Sequence, residues 1–140
     1  MTVRIRRADW SRDADSLLAI RYRVFVEEQG VPRELEHDSH DASALHLLAL
    51  ADDVTPIGTA RLLIDGHIGR MAVLPAWRGR GVGSSLLLEL LRIADASGSG
   101  APFLNAQCDA IGFYTRLGFE PYGEVFDDAG IPHRRMRRAR

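Results

Sequence analysis

Several features that mark special classes of protein are scarce in this sequence. It contains one cysteine, Cys108, so no internal disulfide can form and a reducing compartment is compatible. No apolar run approaches the roughly 20 residues of a membrane helix, and the N-terminal MTVRIRRADW lacks the apolar core of a signal peptide. We therefore expect a cytoplasmic protein with no membrane partner.

An excess of either charge is also missing. The 18 lysine and arginine residues nearly balance the 19 aspartate and glutamate residues, so the formal net charge is −1. The C-terminal HRRMRRAR is locally basic, and we interpret it as a solvated edge strand with Met136 facing inward. We therefore expect no nucleic-acid partner, and we also expect no bound metal.

The length of 140 residues predicts a single domain spanning 1–140. Ser11 or Asp13 is the expected N-cap of the first helix, 27–41 should be largely loop, and Asp65-Gly66 should form a hairpin turn. The mixture of connections predicts an α/β fold with a mostly antiparallel sheet of six to seven strands, helices on its faces and one parallel pair. Hydrophobic periodicity predicts strands at 2–7, 45–51, 57–64, 68–74, 103–108, 119–126 and 133–138, and helices at 13–25, 82–97 and 110–117.

The segment 68–84, IGRMAVLPAWRGRGVGS, passes from an apolar strand through a glycine-rich turn into a helix. The three glycines of the turn, Gly79, Gly81 and Gly83, lack Cβ atoms, so the backbone can bend sharply and several N–H groups can converge. The first N–H groups of the helix are unpaired and carry partial positive charge, and two arginines add cations. The segment therefore predicts a phosphate site. Its expected binding residues are Arg78, Gly79, Arg80, Gly81, Val82, Gly83 and Ser84.

Two better-known phosphate loops have a different spacing. A Walker loop ends in Gly-Lys-Ser/Thr, whereas Gly83 is followed directly by Ser84. The dinucleotide fingerprint is G-x-G-x-x-G, whereas the glycines here are spaced G-x-G-x-G. Both classes are therefore disfavoured.

The loop resembles the coenzyme A loop of the GCN5-related N-acetyltransferase (GNAT) superfamily, Arg/Gln-x-x-Gly-x-Gly/Ala, which Arg78, Gly81 and Gly83 match. The segment AIGFYTRLGF at 110–119 is similar to the second family signature, A-x-x-F-Y-x-x-x-G-F. VFVEEQGVPRELEHDSHD, GTARL and AGIPH resemble the ElaA-like and YjcF-like bacterial acetyltransferases. The resemblance covers nearly the whole chain.

This resemblance implies transfer of an acetyl group from acetyl-CoA to a primary amine, by direct attack in a ternary complex. It places the parallel pair at the strands that begin at 68 and 103, which splay apart to admit the pantetheine arm. Met71 and Ala72 would line that channel, and the Val73 N–H would polarise the thioester carbonyl. Asn105 would reach the cofactor. Tyr114 would be the general acid that protonates the leaving thiolate.

The sequence offers several candidates for the general base. The candidates are Glu36, His37, Asp38, Asp41, His46 and His133. Glu36, Asp38, Asp41 and His46 match the subfamily pattern, which indicates a loop that walls the acceptor site and attracts a cationic amine. For any single member, a solvated face is the alternative. Arg61 could pair with one of these carboxylates or bind an acidic part of the substrate.

Two function classes follow. The first is an acetyltransferase, monomeric or homodimeric, that acts on a small-molecule amine or a peptide. The second is a non-catalytic acyl-CoA-binding sensor or regulatory module. The presence of Tyr114 and of the acid-rich loop favours the enzyme.

Overall fold

A computed structural model describes residues 2–36 and 38–139 of the chain. His37, one of the predicted candidate bases, lies outside the described residues. After the first helix the chain continues as a π-helix, Tyr22–Glu28, and 3₁₀ turns occur at Pro75–Trp77 and Cys108–Ala110. The strands and α-helices in chain order are β1 (Val3–Ala8), α1 (Trp10–Arg21), α2 (Arg33–Glu36), β2 (Leu45–Ala51), β3 (Thr55–Leu62), β4 (His67–Val73), α3 (Val82–Ser97), β5 (Phe103–Gln107), α4 (Ile111–Arg116), β6 (Phe119–Asp128) and β7 (Ile131–Arg138).

The seven strands form one sheet in the order β1-β2-β3-β4-β5-β7-β6. Every neighbouring pair is antiparallel except β4 and β5, which confirms the predicted mixed sheet with one parallel pair. The expectation that the last strand is an edge strand is wrong. The β6–β7 hairpin folds β7 back between β5 and β6, so that β6 takes the edge while Met136 is buried as predicted.

Helices cover both faces of the sheet. The sequence of strand β2, LHLLALA, is accordingly apolar on both faces. Leu47 and Ala49 belong to the apolar cluster that includes α3, whereas Leu48 and Leu50 belong to the cluster that includes α1. A strand buried on both faces needs a continuous apolar run rather than alternation. No helix in the described ranges is long and apolar enough to cross a bilayer.

The first helix differs from its prediction at both ends. Its N-cap is Asp9, whose carboxylate accepts from the Ser11 N–H at 3.0 Å, so the predicted cap at Ser11 or Asp13 is wrong. Asp13 instead accepts from the Asp9 N–H at 2.8 Å and pairs with Arg6 at 3.0 Å. The α-helix ends at Arg21 and continues as the π-helix, a local distortion that is frequent at functional sites.

Candidate active site

Strands β4 and β5 part soon after they begin. In the described structure their parallel register comprises His67 with Phe103 and Ile68 with Leu104. Beyond these pairs the two strands line opposite sides of a cleft of about 720 Å³. The predicted splaying of this pair is therefore present, and the cleft opens where the sheet loses its hydrogen bonds.

A β-bulge shapes the β4 side of the cleft. Two β4 residues, Arg70 and Met71, oppose the single β3 residue Ala60. Arg70 has a φ of 49°, which is uncommon for a residue with a long side chain. Its guanidinium donates to the Glu36 carbonyl at 3.0 Å and to Asp38 at 3.2 Å, and these contacts hold the strained backbone in place.

The backbone of Val73 faces the cleft. The Leu74 N–H donates to the carbonyl oxygen of Ile57 on β3. Along an antiparallel pair of strands, residues that exchange hydrogen bonds with the partner strand alternate with residues that do not. Val73 therefore points its N–H and C=O away from β3, and its C=O accepts from Arg78 Nε at 3.0 Å. Since β5 has already parted from β4, the Val73 N–H is available to a group bound in the cleft.

The glycine loop bends at two of its three glycines. Gly79 and Gly81 have φ values of 75° and 80°, a left-handed conformation that favours glycine. Gly81 is the N-cap of α3 and provides no side-chain cap, so the first N–H groups of this 16-residue helix face the cleft mouth. The expectation that Gly83 also bends the chain is wrong. Gly83 lies inside α3, where a Cβ would stand 3.4 Å from the Phe113 ring.

The two loop arginines are already engaged within the protein. Arg78 donates to both Glu28 carboxylate oxygens at 2.6 Å, which fastens the loop to the end of the π-helix. Arg80 lies over the Trp77 ring at 5.1 Å. The predicted phosphate contact from Arg78 would require the Glu28 pair to open, and it stays a prediction.

Two polar side chains line the cleft, one from β5 and one from α4. Asn105 Oδ1 is buried without a hydrogen-bond partner among the described residues, so it is an acceptor that a bound ligand could satisfy. The Tyr114 hydroxyl has a weak contact with Met71 Sδ at 3.8 Å. Burial raises the pKa of Tyr114 to about 12, so the phenol keeps its proton at neutral pH. The unpaired Asn105 acceptor suits an amide N–H of the pantetheine arm of acetyl-CoA, and the protonated phenol suits the thioester sulfur.

The acidic loop is an ion network rather than a solvated face. Arg21 pairs with Glu36 and also bonds both oxygens of Asp41, at 2.9 and 3.0 Å. Arg61 donates to Asp38 at 2.8 Å and to Asp41 at 3.0 Å, which is the salt bridge, one of the two alternatives left open for this residue. Burial acts to raise the pKa of Asp41, but hydrogen bonds and charge from Arg21 and Arg61 outweigh it and lower that pKa to about 2.

The predicted base candidates are distributed unevenly about the cleft. Glu36 and His133 line it, whereas Asp38, Asp41 and His46 are not among its lining residues. Burial lowers the pKa of His46, whose ring stacks on Trp10 and whose Nε2 lies 2.8 Å from the Asp41 carbonyl oxygen. His46 therefore supports the network from behind the cleft.

Sequence reasoning did not select several residues that line the cleft. His67, at the start of β4, stacks on Phe103, and burial lowers its pKa, which favours the neutral imidazole. Gln107 at the end of β5 donates to Gln29 at 2.8 Å and bridges the cleft to the π-helix. No short-range sequence pattern marks His67, because its place at the base of the opening follows from the register of β4 with β5, a property of the tertiary structure.

The parting strands beside a glycine loop, within this mixed sheet, define an acetyltransferase of the GNAT type. The chain belongs to that family, since the model described as "Acetyltransferase (GNAT) domain" matches residues 11–140. The resemblance inferred from the sequence motifs is thereby confirmed.

Its relatives include the two bacterial proteins after which the subfamily resemblance was named. The chain is 36% identical over 121 residues to the uncharacterized N-acetyltransferase YjcF of Bacillus subtilis (strain 168), covering 84% of this chain and 86% of that protein. It is 34% identical over 131 residues to protein ElaA of Escherichia coli (strain K12), covering 88% and 85%.

Solved structures agree with this placement. The crystal structure of Escherichia coli ElaA matches with a TM-score of 0.85 and 29% identity, covering 98% of this chain and 99% of that one. An acyl-CoA N-acyltransferase from Pseudomonas aeruginosa matches with a TM-score of 0.85 and 30% identity, covering 99% and 100%.

Proposed function

We propose that this protein transfers the acetyl group of acetyl-CoA to a primary amine by direct attack, without a covalent enzyme intermediate. The observation that supports this most is the convergence of unsatisfied groups on one cleft. These are the Val73 N–H, Asn105 Oδ1 and the N-terminal amides of α3. A buried polar group without a partner is costly, so a ligand that satisfies several of them gains affinity.

Most of the predicted cofactor contacts have a physical role in this proposal. The amides at Gly81, Val82 and Gly83, with the positive end of the α3 dipole, bind the diphosphate. Met71 and Ala72 flank the pantetheine arm along the strand edge, and Ser84 adds a hydroxyl at the cleft mouth. Arg80 is exposed and adds a cation beside the loop.

The chemical step needs polarisation, a base and an acid. The amine nitrogen attacks the thioester carbonyl carbon, a C–N bond forms, the C–S bond breaks, and the products are the N-acetylated amine and coenzyme A. The Val73 N–H stabilises the developing oxyanion. Tyr114 donates its proton to the leaving thiolate, whose conjugate acid has an ordinary pKa near 8.5.

His67 lines the cleft, but it precedes Val73 by six residues of β4, roughly 20 Å along the strand, so it is too distant to take the amine proton, which passes to water in the open cleft. Glu36 also lines the cleft but is paired with Arg21. In this proposal Glu36, Asp38 and His46, three of the candidates for the base or the acceptor site, hold the acceptor wall and the Arg70 bulge in position.

Calorimetry with acetyl-CoA followed by assay of labelled acetyl transfer to a panel of amines tests the proposal. We expect micromolar binding, amine-dependent release of coenzyme A, and intersecting initial-velocity lines that indicate a ternary complex. Folded protein that binds no acetyl-CoA would contradict the cofactor assignment. Binding with no transfer to any amine would instead favour the sensor module, and acetylated protein in the absence of amine would contradict direct attack.

A further inference from the structure

The acidic loop does not supply free negative charge to the acceptor site. Its ion network contains as many guanidinium groups as carboxylates, and the pairs between them are direct. The members are Arg21, Arg61, Arg70, Glu36, Asp38 and Asp41. Because these charges sum to zero, a polycationic acceptor gains little attraction from the loop.

The wall beside this network is apolar. Phe25, Val31, Leu35 and Ile131 all line the cleft and all keep part of their surface exposed. Leu35 on α2 is 56% exposed, which is unusual for a leucine at a concave site. A ligand that covers these side chains gains affinity from the apolar area that it removes from water.

One carboxylate at the cleft is not part of an ion pair. The charged residues that line the cleft are Glu36, Arg70, Arg78 and Asp128. The first three pair with Arg21, Asp38 and Glu28 respectively. Within 2–36 and 38–139, Asp128 makes no ion pair, and it is exposed at the end of β6. The cleft therefore offers one negative charge beside an apolar wall.

We propose that the acceptor is a primary monoamine with an apolar body, an alkylamine or arylalkylamine. Its single ammonium group is attracted by Asp128, and its body lies against Phe25, Val31, Leu35 and Ile131. This inference rests on the proposed acetyl transfer and adds the chemical class of the acceptor. It excludes polyamines and amino sugars as preferred substrates, because the cleft provides neither several free carboxylates nor a polar wall.

A chain-length series on the wild-type protein tests the proposal without any variant. At saturating acetyl-CoA, kcat/KM should rise about fourfold per methylene from ethylamine to hexylamine, and phenethylamine should also be a good acceptor. Spermidine and glucosamine should fall well below hexylamine. A flat or falling series, or preference for spermidine or glucosamine over hexylamine, would overturn this inference while leaving acetyl transfer established. Transfer to none of these amines would overturn both proposals.

Two variants with matched controls locate the effect. Leu35→Ser should lower the ratio of kcat/KM for hexylamine to that for ethylamine about fivefold, whereas Val54→Ser, at an exposed site outside the cleft, should leave the ratio unchanged. Asp128→Asn should lower kcat/KM about threefold at low salt, and this loss should vanish at high salt. Glu124→Gln, at an exposed site outside the cleft, should leave kcat/KM unchanged at both salt concentrations. An unchanged ratio in Leu35→Ser, or equal effects of Asp128→Asn and Glu124→Gln, would contradict the assignment.

Discussion

Asp41→Asn removes the central charge of the buried ion network while preserving side-chain size. Asp41 and Arg21 are each only 1% exposed, and the Asp41 carboxylate accepts three hydrogen bonds from Arg21 and Arg61 at 2.9 to 3.0 Å. The amide of the variant can accept with one oxygen only, so two guanidinium groups lose a bonded anion. The variant therefore distinguishes a structural role of the Asp41 carboxylate from a catalytic one.

The expected cost follows from the burial of this network. Removing one partner of a buried pair costs about 3 to 5 kcal/mol because it leaves an uncompensated charge. Arg21 keeps Glu36 and Arg61 keeps Asp38, so we expect the lower end, about 3 kcal/mol. For a domain of this size that loss lowers Tm by roughly 10 °C.

Urea denaturation followed by circular dichroism measures this loss, and Asp53→Asn is the matched control. Asp53 forms an exposed pair with Arg4, and its φ of 65° suits asparagine, so the control should lose less than about 0.5 kcal/mol. The acetyl-transfer rate per folded Asp41→Asn molecule should stay near that of the wild type. Wild-type stability in the variant, or lost activity at full stability, would refute the structural role of Asp41.

The pH dependence provides a second check on Asp41. Its pKa is lowered from 3.8 to about 2 in the folded protein. The ionised group therefore contributes stability that is complete above about pH 4 and is lost as the pH falls through 2, roughly 2 kcal/mol in all. The gap in unfolding free energy between wild type and variant should narrow from pH 5 to pH 2. A gap that stays constant over this range would contradict the cause assigned to the shift.

Three further substitutions probe the cleft. Tyr114→Phe should lower kcat by at least about 100-fold with acetyl-CoA affinity nearly intact by calorimetry, and unchanged turnover would remove Tyr114 from the mechanism. Asn105→Ala should weaken acetyl-CoA binding without destabilising the free protein in urea, because it removes a buried acceptor that has no partner; a stability loss would indicate a structural role. Gly81→Ala should cost about 1 kcal/mol from its φ of 80° although the space is open, whereas Gly69→Ala, also in open space but without a positive φ, should cost less. Equal costs at the two glycines would show that backbone strain is not the cause.

The apolar pattern of the sequence was sufficient to predict those helices and strands that depend on residues close together along the chain. The bounds of α3 and β2 coincide with their predicted ranges, since one is a helical apolar stripe ending at Gly98 and the other an uninterrupted apolar run. The Asp65-Gly66 turn likewise placed β3 beside β4. Periodicity did not predict the π-helical continuation of α1, because an α-helix and a π-helix differ in backbone hydrogen bonding and share a similar apolar pattern over one turn.

The amino-acid sequence alone determined the family, the mixed sheet and the position of the glycine loop, because motifs and periodicity are short-range properties. The tertiary structure was needed to assign the acidic residues. Glu36, Asp38 and Asp41 look the same in sequence whether they face water, an amine or an arginine. Their partners Arg21, Arg61 and Arg70 come from α1, β3 and β4, and only the packing of those elements brings the opposite charges within hydrogen-bond distance.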